Sequence, residues 1–313
     1  MTNPFFGRDI ISIRDVDRSQ FELLFSFANE LESSSYSKKK DIASGKILGT
    51  MFFEPSTRTR LSFEAAMLSI GGGQVGVQDP KTSSIEKGEN LADTIRTMDC
   101  YVDVLVIRHP MEGAARFAAE IASKPVINAG TGSEEHPTQA MLDLYTIIKE
   151  SGAIDGMKIG IIGDLKYGRA VHSLLYALAR YKPKVYLISP ASLSLRKEVI
   201  RDLEPTLSLS EHGTLEDVIE ELDVLYVTRI QKERIPDPQE YEQLRGSYVV
   251  DSKILEKAKS NAIILHPLPR TSEIMPEVDK TKNARYFKQP YWGKLIRSAL
   301  LGLILNDEIN TKF

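Results

Sequence analysis

The chain of 313 residues carries 40 lysines and arginines against 43 acids, a formal net charge of -3, with 42% hydrophobic residues and one cysteine. That length holds two domains of ordinary size, and the charge balance excludes general nucleic-acid binding, so any basic site must be local. Cys100 alone excludes an internal disulfide framework or a cysteine-based zinc site, no apolar run reaches the roughly 18 residues of a membrane span, and MTNPFFGRDI lacks a signal-peptide pattern, so a cytoplasmic protein with no membrane partner is expected.

Along the chain, short apolar runs alternate with segments of helical period, the pattern of parallel βαβ units. A helix is predicted over 17–33, a strand over 47–53, helices over 57–70 and 89–99, a strand over 102–107, a helix over 112–122, a strand over 125–128 and a helix over 137–150. The turn-rich SGAIDGMK (151–158) marks a domain boundary. Beyond it come a strand over 158–163, a helix over 168–181, a strand over 185–189, helices over 192–203 and 214–221, and a strand over 223–228. A helix over 252–259, a strand over 262–265 and a helix over 291–305 complete the pattern. The last helix, with Leu295, Ile296, Ala299, Leu300 and Leu303 on one face, reads as ordinary core. The expected fold is α/β, with two domains that are each a parallel sheet flanked by helices.

FFEPSTRTRLSFE (52–64) is at odds with the usual rules for starting a helix. Ser56 reads as the N-cap, and Leu61, Phe63, Ala65 and Leu68 as the apolar face. The first turn nevertheless carries Arg58 and Arg60, against the dipole, at about 0.3–1 kcal/mol each when nothing is bound. A phosphate on the backbone N–H groups of Thr57 to Arg60, gripped by both guanidiniums, removes the conflict.

Ligands of open parallel sheets bind beyond the carboxyl ends of the strands. Five predicted strand ends deliver Arg108, His136, Arg169, Arg229 and His266. Taken singly, an arginine is most often solvated or paired with an acid, and His136 reads as a helix cap; together the five point to an anionic ligand. His136 precedes Pro137 at a helix start, with Gln139 projecting in the first turn. The dipole there is expected to keep the imidazole neutral, able to donate one hydrogen bond to a carbonyl oxygen. GDLKYGRA (163–170) misses the phosphate-loop pattern because Arg169 and Ala170 replace Lys and Ser or Thr, and GIIGDLKYG misses G-x-G-x-x-G. The five histidines show no ligand spacing; no metal and no cofactor are expected. TSSIEKGEN (82–90) reads by composition as a surface loop with a solvated Lys87.

With these motifs assembled, the chain resembles the catalytic chains of the aspartate carbamoyltransferase family over essentially its full length. The resemblance rests on FFEPSTRTRLSFE, the SSIEKGE loop, HPTQ, GDLKYGR, TRIQKER and HPLPR. STRTR marks carbamoyltransferases in general. An ornithine-using relative is expected to show an HCLP-type segment and an acidic recognition loop instead of TRIQKER and HPLPR.

The resemblance implies transfer of the carbamoyl group of carbamoyl phosphate to the amino group of L-aspartate in pyrimidine biosynthesis. It implies a carbamoyl-phosphate-binding domain of 1–134 plus 291–313 and an aspartate-binding domain of 152–286. Helix 137–150 and the C-terminal helix link them, and the active site lies in the cleft between them. Ser56, Thr57, Arg58 and Thr59 are then expected to hold the phosphate, with Thr59, Arg108 and His136 at the carbonyl oxygen. Gln139 and the carbonyls of Pro267 and Leu268 take the carbamoyl NH₂. Arg169 and Arg108 meet the α-carboxylate of aspartate, and Arg229, Gln231 and Lys87 the β-carboxylate, with Leu268 also at the aspartate. Ser83 and Lys87 match a loop that this family inserts into the neighbouring subunit's site, which implies a homotrimer with shared sites. The resemblance also admits regulatory chains and an allosteric holoenzyme as further partners. Glu54 is expected to pair with Arg169 or Arg234 across the cleft when the domains close. Competing readings are another carbamoyltransferase, such as an ornithine-type enzyme, a non-catalytic anion-binding module, and, more remotely, a dehydrogenase.

Overall fold

The computed structural model describes residues 3–77, 84–231, 235, 237–244 and 246–309. The chain divides into two compact units, Met1–Leu142 with Pro290–Phe313, and Asp143–Gln289.

The first unit is built on a four-stranded sheet of β1 (Ile47–Phe52), β2 (Gly73–Val77), β3 (Val104–His109) and β4 (Val126–Thr131), in the order β2-β1-β3-β4. Every pairing is parallel. Chain order reverses between β1 and β3, so the sheet's crevice opens at their carboxyl ends. Helices α1 (Arg18–Ser33), α2 (Tyr36–Lys39), α3 (Thr57–Ser69), α4 (Leu91–Asp99) and α5 (Ala114–Ile121) accompany it. Helix α1 starts on a full capping box, Asp17 accepting from the Gln20 N–H while Gln20 reaches back to the Asp17 N–H. On one face of the sheet, Met51, Leu105, Ile107 and Val126 pack with Ile95, Met98, Ala115 and Ala118.

The second unit carries a five-stranded parallel sheet of β5 (Lys158–Ile162), β6 (Lys184–Ile188), β7 (Ser208–His212), β8 (Val224–Val227) and β9 (Ile263–Leu265). Its order is β7-β6-β5-β8-β9, with the reversal between β5 and β8. Helix α6 (Pro137–Ser151) runs through the division between units, and α7 (Arg169–Leu178), α8 (Lys197–Leu203), α9 (Pro238–Leu244) and α10 (Ser252–Lys257) belong to the second. The last helix, α11 (Gln289–Leu305), returns the chain to the first unit, with Ile296, Ala299, Leu300 and Leu303 fully buried.

The α/β class and the pair of parallel sheets agree with the sequence reading. Two strands were not anticipated. Strand β2, GQVGV, and strand β7, SLSEH, lie at sheet edges and are largely exposed, so neither shows an apolar run. Gly76 is needed in β2 because a Cβ there would stand 2.0 Å from the Thr50 hydroxyl oxygen. The helix expected over 214–221 reduces to a single 3₁₀ turn at Ile219–Glu221. Among the described residues no helix is long and apolar enough to cross a membrane.

Candidate functional site

In the first unit the register of the sheet sets three exits side by side. Phe52 of β1 stands opposite Arg108 of β3, and His109 opposite Thr131 of β4. The segment 56–59, Arg108 and the loop leading to His136 therefore leave the sheet from neighbouring strands. Arg108 is fixed by its backbone, whose carbonyl accepts from the Phe53 N–H at 2.9 Å. Its side chain lies with Nε 2.8 Å from Glu54 Oε1 and Nη1 3.4 Å from the Ala129 carbonyl. Within the first unit Glu54 thus pairs with Arg108; Arg234, one of the two partners expected for it on domain closure, lies outside the described residues.

Helix α3 begins at Thr57 after the N-cap Ser56 and has no acid in its first turn. Thr57 and Arg58 are exposed, whereas Thr59 is buried. The first turn thus presents backbone N–H groups, the positive end of the dipole and a guanidinium to solvent, which is an anion site. Two expectations about this helix need correction. Arg60 turns back along the helix to Glu64, Nη1 to Oε1 at 3.3 Å, the i,i+4 pairing that relieves its unfavourable position locally. The buried face is Phe63, Ala66, Met67 and Ile70, while Leu61, Ala65 and Leu68 form an exposed apolar stripe.

His136 is buried, and its carbonyl accepts from the Gln139 and Ala140 N–H groups in the first turn of α6. Gln139 is buried with it. Two supporting residues carry no motif and were not anticipated. Glu135 accepts from the Ser12 hydroxyl and the Ile13 N–H, both at 2.7 Å, tying the residue before His136 to the amino-terminal segment. Burial raises its carboxyl pKa against those two donors. Arg297 of α11 is 3% exposed, donates to Ser62 of α3 at 2.8 Å and to Thr138 of α6 at 3.4 Å, and lies over the Phe63 ring. The one sequence signal for it is a lone cation inside the apolar pattern LIRSALLGLIL.

In the second unit, Ile162 of β5 pairs with Val227 of β8, and Tyr226 with Leu265 of β9. The exits of these strands carry Arg169, then Arg229 and Gln231, then Pro267 and Leu268. Gly163 closes β5 with φ 121°, and a Cβ there would stand 2.1 Å from the Thr228 carbonyl oxygen, so only glycine lets the two exits approach this closely. The Gln231 side chain donates to the Tyr167 carbonyl at 3.3 Å, which draws the loop after β8 to the loop before Arg169. Asp164 is buried and accepts from the Tyr167 N–H, shaping that loop. Arg169 and Arg229 are both half-buried.

His266, expected from its strand-end position to help bind an anionic ligand, meets a carboxylate of the chain itself. It is 1% exposed, accepts the Leu268 N–H at Nδ1 and bonds Glu273 through Nε2, both at 2.7 Å. Lys87 ends a 3₁₀ turn over Ser84–Lys87 and is exposed; Ser83 lies outside the described residues. Among the described residues no cluster of three or more His, Cys, Asp or Glu could hold a metal ion.

Comparison with known proteins follows this geometry. Residues 8–149 match the family profile "Aspartate/ornithine carbamoyltransferase, carbamoyl-P binding domain", and residues 155–304 match "Aspartate/ornithine carbamoyltransferase, Asp/Orn binding domain". The aspartate carbamoyltransferase catalytic subunit of Cenarchaeum symbiosum is 55% identical over 303 residues, covering 97% of this chain and 98% of its own. The catalytic subunit of M. jannaschii aspartate transcarbamoylase superposes with a TM-score of 0.88 at 46% identity, covering 97% of this chain and 99% of its own. The aspartate transcarbamoylase of Trypanosoma cruzi, in complex with N-(phosphonacetyl)-L-aspartic acid, gives 0.92 at 39% identity over 96% of this chain and 97% of its own.

Proposed function

The chain belongs to the aspartate/ornithine carbamoyltransferase family, and on that premise we propose that it is an aspartate carbamoyltransferase catalytic chain. It transfers the carbamoyl group of carbamoyl phosphate to the α-amino group of L-aspartate, giving N-carbamoyl-L-aspartate and phosphate. The observation that carries the choice of aspartate over ornithine is the set of near-full-length relatives named as aspartate carbamoyltransferases or transcarbamoylases, one in complex with N-(phosphonacetyl)-L-aspartic acid. The second unit agrees with it, because the exits of β5 and β8 offer guanidiniums, which suit a dicarboxylate and repel a cationic side chain.

The residues divide the chemistry as follows. The first turn of α3, with Ser56, Thr57, Arg58 and Thr59, binds the phosphate and stabilises it as it leaves. Attack of the amine places negative charge on the carbonyl oxygen, where Thr59, Arg108 and His136 are preorganised donors. Glu54 keeps the Arg108 guanidinium from turning away. Gln139 and the carbonyls of Pro267 and Leu268 hold the carbamoyl NH₂. Arg169 and Arg108 take the α-carboxylate of aspartate, and Arg229, Gln231 and Lys87 the β-carboxylate. The amine loses its proton to an oxygen of the departing phosphate, so no protein base is required. Holding both substrates in one geometry supplies much of the remaining acceleration.

The working assembly in this reading is a homotrimer in which Ser83 and Lys87 act in the neighbour's site. Support comes from the exposed stripe of Leu61, Ala65 and Leu68, which is 49% and 55% exposed at the two leucines, with Val75 of the edge strand β2 at 42%. Apolar side chains grouped in this way mark a surface that a partner covers. Regulatory chains, a place in pyrimidine biosynthesis and a cytoplasmic setting belong to the same reading. Binding of N-(phosphonacetyl)-L-aspartate tests it: tight inhibition, competitive with carbamoyl phosphate, is expected, and indifference to it would contradict the assignment.

A further inference from the structure

The loop after β9 holds an unusual backbone position at Leu268, and its shape depends on one buried histidine. Leu268 has φ 54°, a left-handed conformation that a leucine rarely adopts. Something must hold it there, and the Leu268 N–H provides the handle. It donates at 2.7 Å to His266 Nδ1, two residues back.

An imidazole nitrogen that accepts cannot carry a proton, so the His266 proton sits on Nε2 and points at Glu273 Oε1, 2.7 Å away. Glu273 is itself locked, its Oε2 receiving the Thr271 N–H at 3.0 Å, the Thr271 hydroxyl at 2.9 Å and the Ser272 N–H at 3.0 Å. The backbone of His266 is held from the other side. Its N–H donates to Gln289 Oε1 at 2.7 Å, Gln289 donates at 2.7 Å to Asp143 Oδ1, and Tyr226 donates to Asp143 Oδ2 at 2.8 Å. Asp143, Tyr226, Gln289 and His266 are all at most 2% exposed. Such a network, satisfied at every member, specifies one arrangement and tolerates little deviation. The reaction as derived above uses none of these side chains.

We propose that His266 is a positioning residue: through Nδ1 it sets the peptide at Leu268, and Glu273 fixes its tautomer, so that the carbonyls of Pro267 and Leu268 are aimed at the carbamoyl NH₂. The inference rests on the functional reading above, which assigns those carbonyls to the carbamoyl group. It makes His266 and Glu273 determinants of how the enzyme tells a carbamoyl phosphate from a bare phosphate. The two ligands share the phosphate and differ in the group that Leu268 contacts.

The test compares binding of carbamoyl phosphate and inorganic phosphate to the intact assembly. His266→Gln keeps a donor for Glu273 but removes the acceptor for the Leu268 N–H; His266→Asn keeps an acceptor oxygen near the place of Nδ1. His266→Gln is expected to weaken carbamoyl phosphate about tenfold or more, the effect of one lost hydrogen bond with its geometry, and inorganic phosphate less than about twofold. His266→Asn is expected to recover most of the loss. Equal weakening of both ligands, no weakening, or an Asn variant as poor as the Gln variant would overturn the proposal. Should His266→Gln not fold, Glu273→Gln replaces it, with the same selective loss expected at smaller size and the same overturning results. A wild-type chain that binds carbamoyl phosphate no better than phosphate would instead refute the functional reading on which the proposal stands.

Discussion

Glu54 Oε1 lies 2.8 Å from Arg108 Nε, joining the segment that leaves β1 to the last turn of side chains on β3. Both groups are largely buried, with side-chain exposures of 20% and 14%, so the carboxylate holds the Nε edge of the guanidinium, whose proposed task is to donate to the reacting carbonyl. Arg108→Ala is expected to lower kcat by about 10²–10³, the loss of one oxyanion donor. Glu54→Gln, which keeps the shape and removes the charge, is expected to lower it by about tenfold. Steady-state kinetics on the folded variants decide it; equal activity in Glu54→Gln would remove its positioning role.

Arg58 and Arg60 differ by two positions and by role. Arg58 is exposed at the start of α3, and Arg60 is paired with Glu64. Arg58→Ala is expected to raise the KM for carbamoyl phosphate and reduce kcat together. Arg60→Ala is expected to leave both within about twofold and to shift urea stability by about 0.2–0.5 kcal/mol, the worth of an i,i+4 pair. A large kinetic effect of Arg60→Ala would show that the local pairing does not describe its role.

Parallel βαβ alternation and the strand-end rule made both sheets legible from the sequence, because buried strands are continuous apolar runs. The same rule singled out Arg108, His136, Arg169 and Arg229, which lie in or after the carboxyl ends of β3, β4, β5 and β8. Edge strands β2 and β7 escaped because their exposed side chains need no apolar pattern. On α3, helical spacing alone could not say which of two apolar stripes faces inward, and Leu61 and Leu68 proved to be outside. His266 was misread for a related reason: a strand-end histidine looks the same in sequence whether it meets a ligand or a buried carboxylate seven residues later. Glu135, Glu273 and Arg297 carry no motif, since their work is to hold neighbours that only the fold brings within reach.

The His266 and Glu273 pair also sets a pH dependence. Burial lowers the His266 pKa from 6.5 despite the opposing hydrogen bond to Glu273. Burial would raise Glu273, but the donors from His266, Thr271 and the local backbone outweigh it and bring the carboxyl down to about 2 from 4.5. For His266 the unfolded chain takes up a proton below pH 6.5 that the folded chain refuses, so stability falls as pH drops below 6.5. For Glu273 the contribution is present above pH 4.5 and is lost as pH falls toward 2. His266→Asn is expected to flatten the urea-midpoint profile just below pH 6.5, and Glu273→Gln to flatten it between pH 4.5 and 2. Profiles parallel to wild type would show that neither group is perturbed in this way.

The proposed sharing of sites between subunits makes a distinctive demand on mixtures. Arg58→Ala and Lys87→Ala are each expected to be nearly inactive alone. Unfolded together and refolded, they are expected to regain measurable activity, because some interfaces then combine an intact Arg58 from one subunit with an intact Lys87 from another. A mixture no more active than its components would place both residues in the same subunit's site.

The most direct measurement supplies the purified assembly with carbamoyl phosphate labelled in the carbamoyl carbon and, in parallel, aspartate or ornithine. The account expects N-carbamoyl-L-aspartate and inorganic phosphate to appear in equal amounts, with no label on ornithine and the aspartate reaction depressed in Arg229→Gln. Label on ornithine but not aspartate, or no transfer to either, would contradict it.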